Sequence, residues 1–122
     1  MAAIRVLLVD DVDDVRRDLR ALLTLSNELE IVGEAVNGLE AVHLTEALNP
    51  DVVLMDLEMP VMNGYESTRQ IKMKFPWCKV IVFTVHEYES ARTQAERSGM
   101  DAFLVKGAPL ETIIGTIKKQ KE

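Results

Sequence analysis

One cysteine, Cys78, stands in 122 residues, so no disulfide can form within the chain and a disulfide-knotted fold is excluded. Six glycines and four prolines are too few for a collagen or a low-complexity segment. No apolar run approaches the roughly 18 residues that mark a membrane-spanning helix. The apolar stretch near the N-terminus meets acids too soon for a signal peptide. Basic residues are the scarcer charge: 14 Lys and Arg stand against 20 Asp and Glu, a net of −6. A domain so acidic offers no basic footprint for direct nucleic-acid binding, nor for an anionic membrane surface. What is present is a hydrophobic fraction of 48% with 28% charged residues, enough for one real core. The expectation is one domain over residues 1–122, with 118–122 read as a linker stub, in a cytoplasmic protein.

Short apolar runs alternate with helical patterns. Val6-Leu7-Leu8-Val9, Val52-Val53-Leu54-Met55, Val80-Ile81-Val82-Phe83 and Ala102-Phe103-Leu104-Val105 read as strands covered on both faces. Ile31-Val32 reads as a weaker strand. After the first run, Val12, Val15, Leu19, Leu22 and Leu23 recur at helical spacing, with Arg16, Arg17, Asp18 and Arg20 placed on the other face. Asn37 is a candidate cap for a second helix that stops at Asn49-Pro50. Further helices run through Ile71, end at Gly99, and start near Pro109. His43 is expected to face water and His86 to lie at a rim; Trp77 and Cys78 carry no assigned role. Alternating strands and helices make a parallel sheet with helices on both faces. The expected α/β fold is a five-stranded sheet in the order 2-1-3-4-5, with its crevice beyond the carboxyl ends of strands 1 and 3.

Four of these strands end in polar residues: Asp10-Asp11, Asp56, Thr84 and Lys106. In the order 2-1-3-4-5 these strands are neighbours, so the five side chains converge on one rim. Taken singly, each has a plainer explanation. Asp10 and Asp11 suit a helix N-terminus, Thr84 suits a strand, and Lys106 suits a solvated surface. Together they are a site. Crowded carboxylates need a proton or a cation, and oxygen-only ligands suit a hard ion such as Mg²⁺, or Mn²⁺. Asp56 can act as a nucleophile toward phosphorus, with Lys106 and the Thr84 hydroxyl meeting phosphoryl oxygens.

Asp10-Asp11, Asp56 within Val53-Leu54-Met55-Asp56-Leu57-Glu58-Met59-Pro60, the Met62-Asn63-Gly64 turn, Thr84 and Lys106 resemble the receiver domain of two-component response regulators. Arg5 to Asp11, Val32-Gly33-Glu34-Ala35 and Val105-Lys106-Gly107-Ala108 are most similar to the NarL/LuxR-type subgroup. The resemblance implies a flavodoxin-like, CheY-like fold and a phosphoaccepting switch. By that resemblance Asp56 accepts a phosphoryl group from a sensor histidine kinase or phosphotransfer protein. Asp10, Asp11, Asp56 and the backbone carbonyl of Glu58 hold Mg²⁺, and Thr84 with Phe103 form the switch. The face built by the fourth helix, fifth strand and fifth helix then alters a partner contact. The expected output is transcription regulation by a C-terminal DNA-binding domain, with a stand-alone receiver acting by protein contact as the alternative. Homodimerisation is left open. The activity expected is limited to promoting phosphorylation of the domain itself and its slow hydrolysis.

Two features depart from the usual pattern. Gly107, not proline, follows Lys106, which leaves that peptide's conformation undetermined. Phe103 has no hydroxyl, so a switch there works by packing alone. Glu58 adds an acid near Asp56 and is expected to affect phosphoryl lifetime. Two other classes fit poorly. A nucleotide or flavin carrier needs a Gly- or Ser/Thr-rich cradle after strand 1, where Asp10-Asp11-Val12-Asp13-Asp14 stands instead. An aspartate-nucleophile phosphatase resembles this chain less, because Glu58 occupies the place of its second aspartate.

Overall fold

A strand that is apolar at every position is stable only between two covered faces. The computed structural model, which describes residues 2–122, supplies both. The elements alternate as β1 (Ile4–Val9), α1 (Asp13–Leu23), β2 (Leu29–Ala35), α2 (Gly38–Leu48), β3 (Val52–Met55), α3 (Gly64–Lys74), β4 (Lys79–Thr84), α4 (Glu89–Arg97), β5 (Ala102–Val105) and α5 (Leu110–Lys119). The strands are parallel, in the order β2-β1-β3-β4-β5. Successive strand residues divide between the faces. Val6 and Leu8 pack with Leu23 of α1 and with Ile113 and Ile117 of α5. Leu7 and Val9 pack with Ala41 and Val42 of α2 and with Ile71 of α3. A third cluster places Ala91 and Ala95 of α4 against Leu57 and Val82.

Local chemistry sets several ends. The Asn37 side chain accepts from the Glu40 amide at 2.8 Å while Glu40 accepts from the Val36 amide at 3.1 Å. Asn63 caps α3 by accepting from the Glu66 amide at 3.0 Å. Gly99, with φ +97°, turns the chain out of α4.

Two expectations change, on β2 and on α1. The second strand is not short: pairing with β1 carries it from Leu29 to Ala35, with an irregularity opposite Val6 and Leu7. Glu30 and Glu34 interrupt the apolar run, whereas backbone pairing sets its length. Residues 118–122 are mostly exposed, and they also make contacts. The helix α5 reaches Lys119, Lys118 meets Glu28 at 2.7 Å and Lys121 meets Asp51 at 3.0 Å. On α1 only Leu23 is fully buried, and Val12 and Leu22 are 48% and 47% exposed. Arg16, expected to face water, is instead largely covered, with an 11% exposed side chain.

Thr68 on α3 is fully buried and its hydroxyl has no hydrogen-bond partner among the described residues. Such a group forfeits its hydration without replacement. Thr68→Val, which keeps the branched shape, is expected to stabilise the fold by about 1 kcal/mol. A thermal melt showing a loss of that size would reveal an acceptor for the hydroxyl.

Candidate functional site

Parallel strands present all their carboxyl ends at one edge, and the reversal of order between β1 and β3 opens a crevice there. Asp10 and Asp11 follow β1, Asp56 follows β3, Thr84 ends β4 and Lys106 follows β5. The structure brings the charged members together. Carboxylate oxygens of Asp10, Asp11 and Asp56 all lie within 4.8 Å of one another. Lys106 Nζ pairs with Asp10 Oδ2 and lies 3.4 Å from Asp56 Oδ2. Asp10 and Asp56 are buried, while Asp11 reaches solvent. Each buried acid is aimed by a backbone amide: Val12 donates to Asp10 Oδ1 and Leu57 donates to Asp56 Oδ1, both at 2.9 Å.

The site is short of positive charge. Burial pushes the Asp56 carboxyl above its ordinary value, and the neighbouring Asp10 pushes the same way. The Lys106 ammonium and the Leu57 amide offset this only in part. One lysine thus faces three acids. The donor set is all oxygen, is open to solvent through Asp11, and holds an uncompensated buried carboxylate. Those properties fit a hard divalent cation such as Mg²⁺, with Asp10, Asp11 and Asp56 as its carboxylate ligands.

Thr84 is fully buried. Its carbonyl accepts from the Lys106 amide at 2.7 Å, which ties the β4 and β5 ends together. Its hydroxyl oxygen accepts from the His86 amide at 3.1 Å. Phe103 lies one strand over, opposite Val82, and the Arg92 guanidinium sits 5.2 Å from its ring centre. The peptide after Lys106 is trans, and Gly107 takes φ +100°, a conformation that favours glycine.

The loop after Asp56 is shaped by a tight turn. The Met62 amide donates to Pro60 O at 2.8 Å, across Val61 at φ +69°. A β-branched residue rarely adopts that region. The chain then returns so that the Gly64 amide donates to Leu57 O at 2.8 Å.

Sequence reasoning missed two sets of contacts. The His86 ring meets Glu58 at 3.0 Å and its other nitrogen meets the Tyr88 hydroxyl at 3.2 Å, which joins the loops after β3 and β4. Arg16 reaches the backbone of Asp10 at 2.7 Å. The packed sheet alone brings His86 near Glu58, and Arg16 turns back to Asp10 only because Glu34 of β2 holds its guanidinium there. Cys78 lies away from the site, its thiol pushed up to about 12 by burial, and Trp77 donates to Asn49 Oδ1 at 2.9 Å. His43 is exposed, as expected.

Comparisons with known proteins place the chain in a family and match its fold. The family described as "Response regulator receiver domain" matches residues 6–118. The nitrate/nitrite response regulator protein NarL of Escherichia coli is 34% identical over 109 residues, which is 89% of this chain and 50% of that protein. The transcriptional regulatory protein DegU of Brevibacillus brevis is 35% identical over 115 residues, 94% of this chain and 49% of that protein. This chain thus spans about half the length of these relatives. Among solved structures, a LuxR-family DNA-binding response regulator from Staphylococcus aureus superposes with a TM-score of 0.91 at 31% identity, covering 98% of this chain and 99% of that one. The response regulator domain of Thermotoga maritima CheB gives 0.90 at 32%, covering 98% and 96%.

Proposed function

Since this chain belongs to the response regulator receiver family, in its NarL/LuxR-type branch, we propose that it is a phosphoaccepting signalling switch with Asp56 as the acceptor. The observation that carries this reading is the buried Asp56 carboxylate beside Lys106 and within 4.8 Å of two further acids.

In the transfer, an Asp56 carboxylate oxygen forms a bond to phosphorus as the bond between phosphorus and a donor imidazole nitrogen breaks. The freed imidazole keeps the bonding pair and takes up a proton. The donor is the phosphohistidine of a sensor kinase or phosphotransfer protein. Lys106 gives a fixed positive charge to the incoming phosphoryl oxygens. The Leu57 amide holds the other Asp56 oxygen so that one lone pair stays aimed outward. Asp10, Asp11, Asp56 and the Glu58 carbonyl would hold Mg²⁺, which would supply charge neutralisation for the phosphoryl group.

The Thr84 hydroxyl turns from its local bond with the His86 amide toward the phosphoryl group. Phe103 follows by repacking beside Ala91, Ala95 and Arg92, which changes the α4–β5–α5 face. Relatives named as regulatory proteins are about twice as long as this chain, which supports transcription regulation as the output and a cytoplasmic location as part of this reading.

The test is incubation with a small-molecule phosphoryl donor, with and without Mg²⁺, read by intact mass. One phosphoryl group should be added, only with the metal present, and peptide mapping should place it on Asp56. Addition elsewhere, or none, rejects the assignment. Glu58 stands on the open side of the site, braced by His86. Glu58→Asn should change the half-life of the phosphorylated form several-fold, measured by phosphate release. An unchanged half-life removes Glu58 from the hydrolytic step.

A further inference from the structure

Arg16 is the one basic residue of α1 whose side chain is nearly covered, at 11% exposed. Its guanidinium meets three acceptors in three directions. Nη1 donates to the backbone carbonyl of Asp10, Nε to Glu34 Oε1 and Nη2 to Asp13 Oδ1, each at 2.7 Å. A planar fork of five N–H groups can do this, whereas the single ammonium of a lysine cannot reproduce the geometry.

The carbonyl it holds is where β1 ends and the acid-bearing turn begins. The Asp10 amide is tied on its other side to Ala35 O at 3.1 Å. Both backbone groups of Asp10 are therefore fixed against β2, one directly and one through Arg16 and Glu34. The Asp10 carboxylate then has one oxygen on the Val12 amide and the other on Lys106. With the backbone pinned, the side chain has little freedom left, and Asp11 is aimed by the same turn.

A guanidinium beside a cation site would ordinarily repel the cation. Glu34 and Asp13 bring two negative charges, and Arg20 adds a positive one at 2.6 Å from Glu34. Arg16, Arg20, Glu34 and Asp13 sum to zero. Burial opposes ionisation of Glu34, yet its hydrogen bonds to the two arginines hold it below the ordinary carboxylate value, so it is ionised at neutral pH.

We infer that Arg16 is a positioning residue for the Asp10-Asp11 pair and that Glu34 is its charge-cancelling anchor, so that the turn is rigid without net positive charge beside the cation. This rests on the reading of Asp10, Asp11 and Asp56 as the Mg²⁺ ligands. Groups that orient metal ligands from behind are worth roughly 10–100-fold in metal affinity.

The test is calorimetric titration of the unphosphorylated protein with MgCl₂, at a temperature where every variant is shown to be folded. Arg16→Ala and Arg16→Lys should each weaken Mg²⁺ binding about tenfold. Glu34→Gln leaves the guanidinium in place but uncancelled, so its affinity should fall several-fold, with the gap to wild type closing as NaCl screens the charge. A role limited to fold stability would lower the melting temperatures and leave these affinities alone, which overturns the inference. Full rescue by Arg16→Lys also overturns it, because charge rather than the fork would then suffice. Asp11→Asn should lose binding. Wild-type protein that takes up no Mg²⁺ overturns the site reading together with the inference, whereas unchanged Arg16 variants overturn the inference alone.

Discussion

Asp56→Asn is expected to take up no phosphoryl group and, in the same preparation, to melt at a higher temperature than the wild type. The first effect follows because an amide oxygen is not a nucleophile toward phosphorus under these conditions. The second follows from the electrostatics. Asp56 is buried and crowded by Asp10, and its carboxyl is raised above the ordinary value despite Lys106. A carboxyl raised on folding favours the folded state when protonated. That contribution is present below the unfolded value and is lost as pH rises through the folded one. At neutral pH the wild type therefore carries a destabilising charge that asparagine lacks.

The sign of the expected gain follows from burial of the carboxylate and the nearby Asp10 charge, which Lys106 offsets only in part. The gap between the two proteins should close in acid, where Asp56 is neutral, and open as pH rises. Saturating Mg²⁺ should raise the wild-type melting temperature more than that of the variant. Melts at acid and neutral pH, with and without Mg²⁺, read all of this. A variant that melts lower than wild type at neutral pH would contradict the account, and phosphoryl uptake by the variant would remove Asp56 as acceptor. In the proposed role, stability given up at Asp56 is the counterpart of its reactivity.

Gly64→Ala should damage both fold and site. A Cβ on Gly64 would stand 1.9 Å from the carbonyl oxygen of Asp56 and 2.9 Å from the Leu57 Cα. Both neighbours are backbone, so no rotamer change makes room. Either the start of α3 moves away from β3, breaking the Gly64 amide bond to Leu57 O, or Asp56 is displaced. Either route is expected to cost about 3 kcal/mol or more, a fall in melting temperature on the order of 10 °C. Phosphoryl uptake should fall with it. The control is Gly115→Ala, at an exposed helical position with nothing within 4 Å of the added atom. There alanine should stabilise by about 1 kcal/mol, by helix propensity alone. Thermal melts of the pair therefore should move in opposite directions. A Gly64→Ala protein as stable and as readily phosphorylated as wild type would show that α3 does not press on the acceptor strand.

The receiver-like rim was legible because the apolar strand runs are short and each ends in a polar residue. Asp10-Asp11, Asp56, Thr84 and Lys106 are found at the strand ends where the alternation of elements places them. Glycine positions were only half legible. Gly99 reads as a helix terminus from its neighbours, whereas the need for Gly64 appears only when α3 meets the Asp56 carbonyl. The placement of Arg16 on α1 was illegible for a related reason. Helical spacing puts it opposite the apolar residues, yet Glu34 of the edge strand draws it inward. An ion pair between residues 18 apart leaves no periodic trace.

Periodicity and strand-end chemistry are local properties, and with the crossover rule and the usual order of doubly wound sheets they were enough for the strand order and the acid cluster. Distances across the sheet are not local. The raised Asp56, the Glu34 end of the Arg16 clamp, the pairing of Glu58 with His86 and the extension of β2 each depend on groups far apart in sequence. Their energies come from burial and from charge at short range, and both exist only once the helices have closed over the strands.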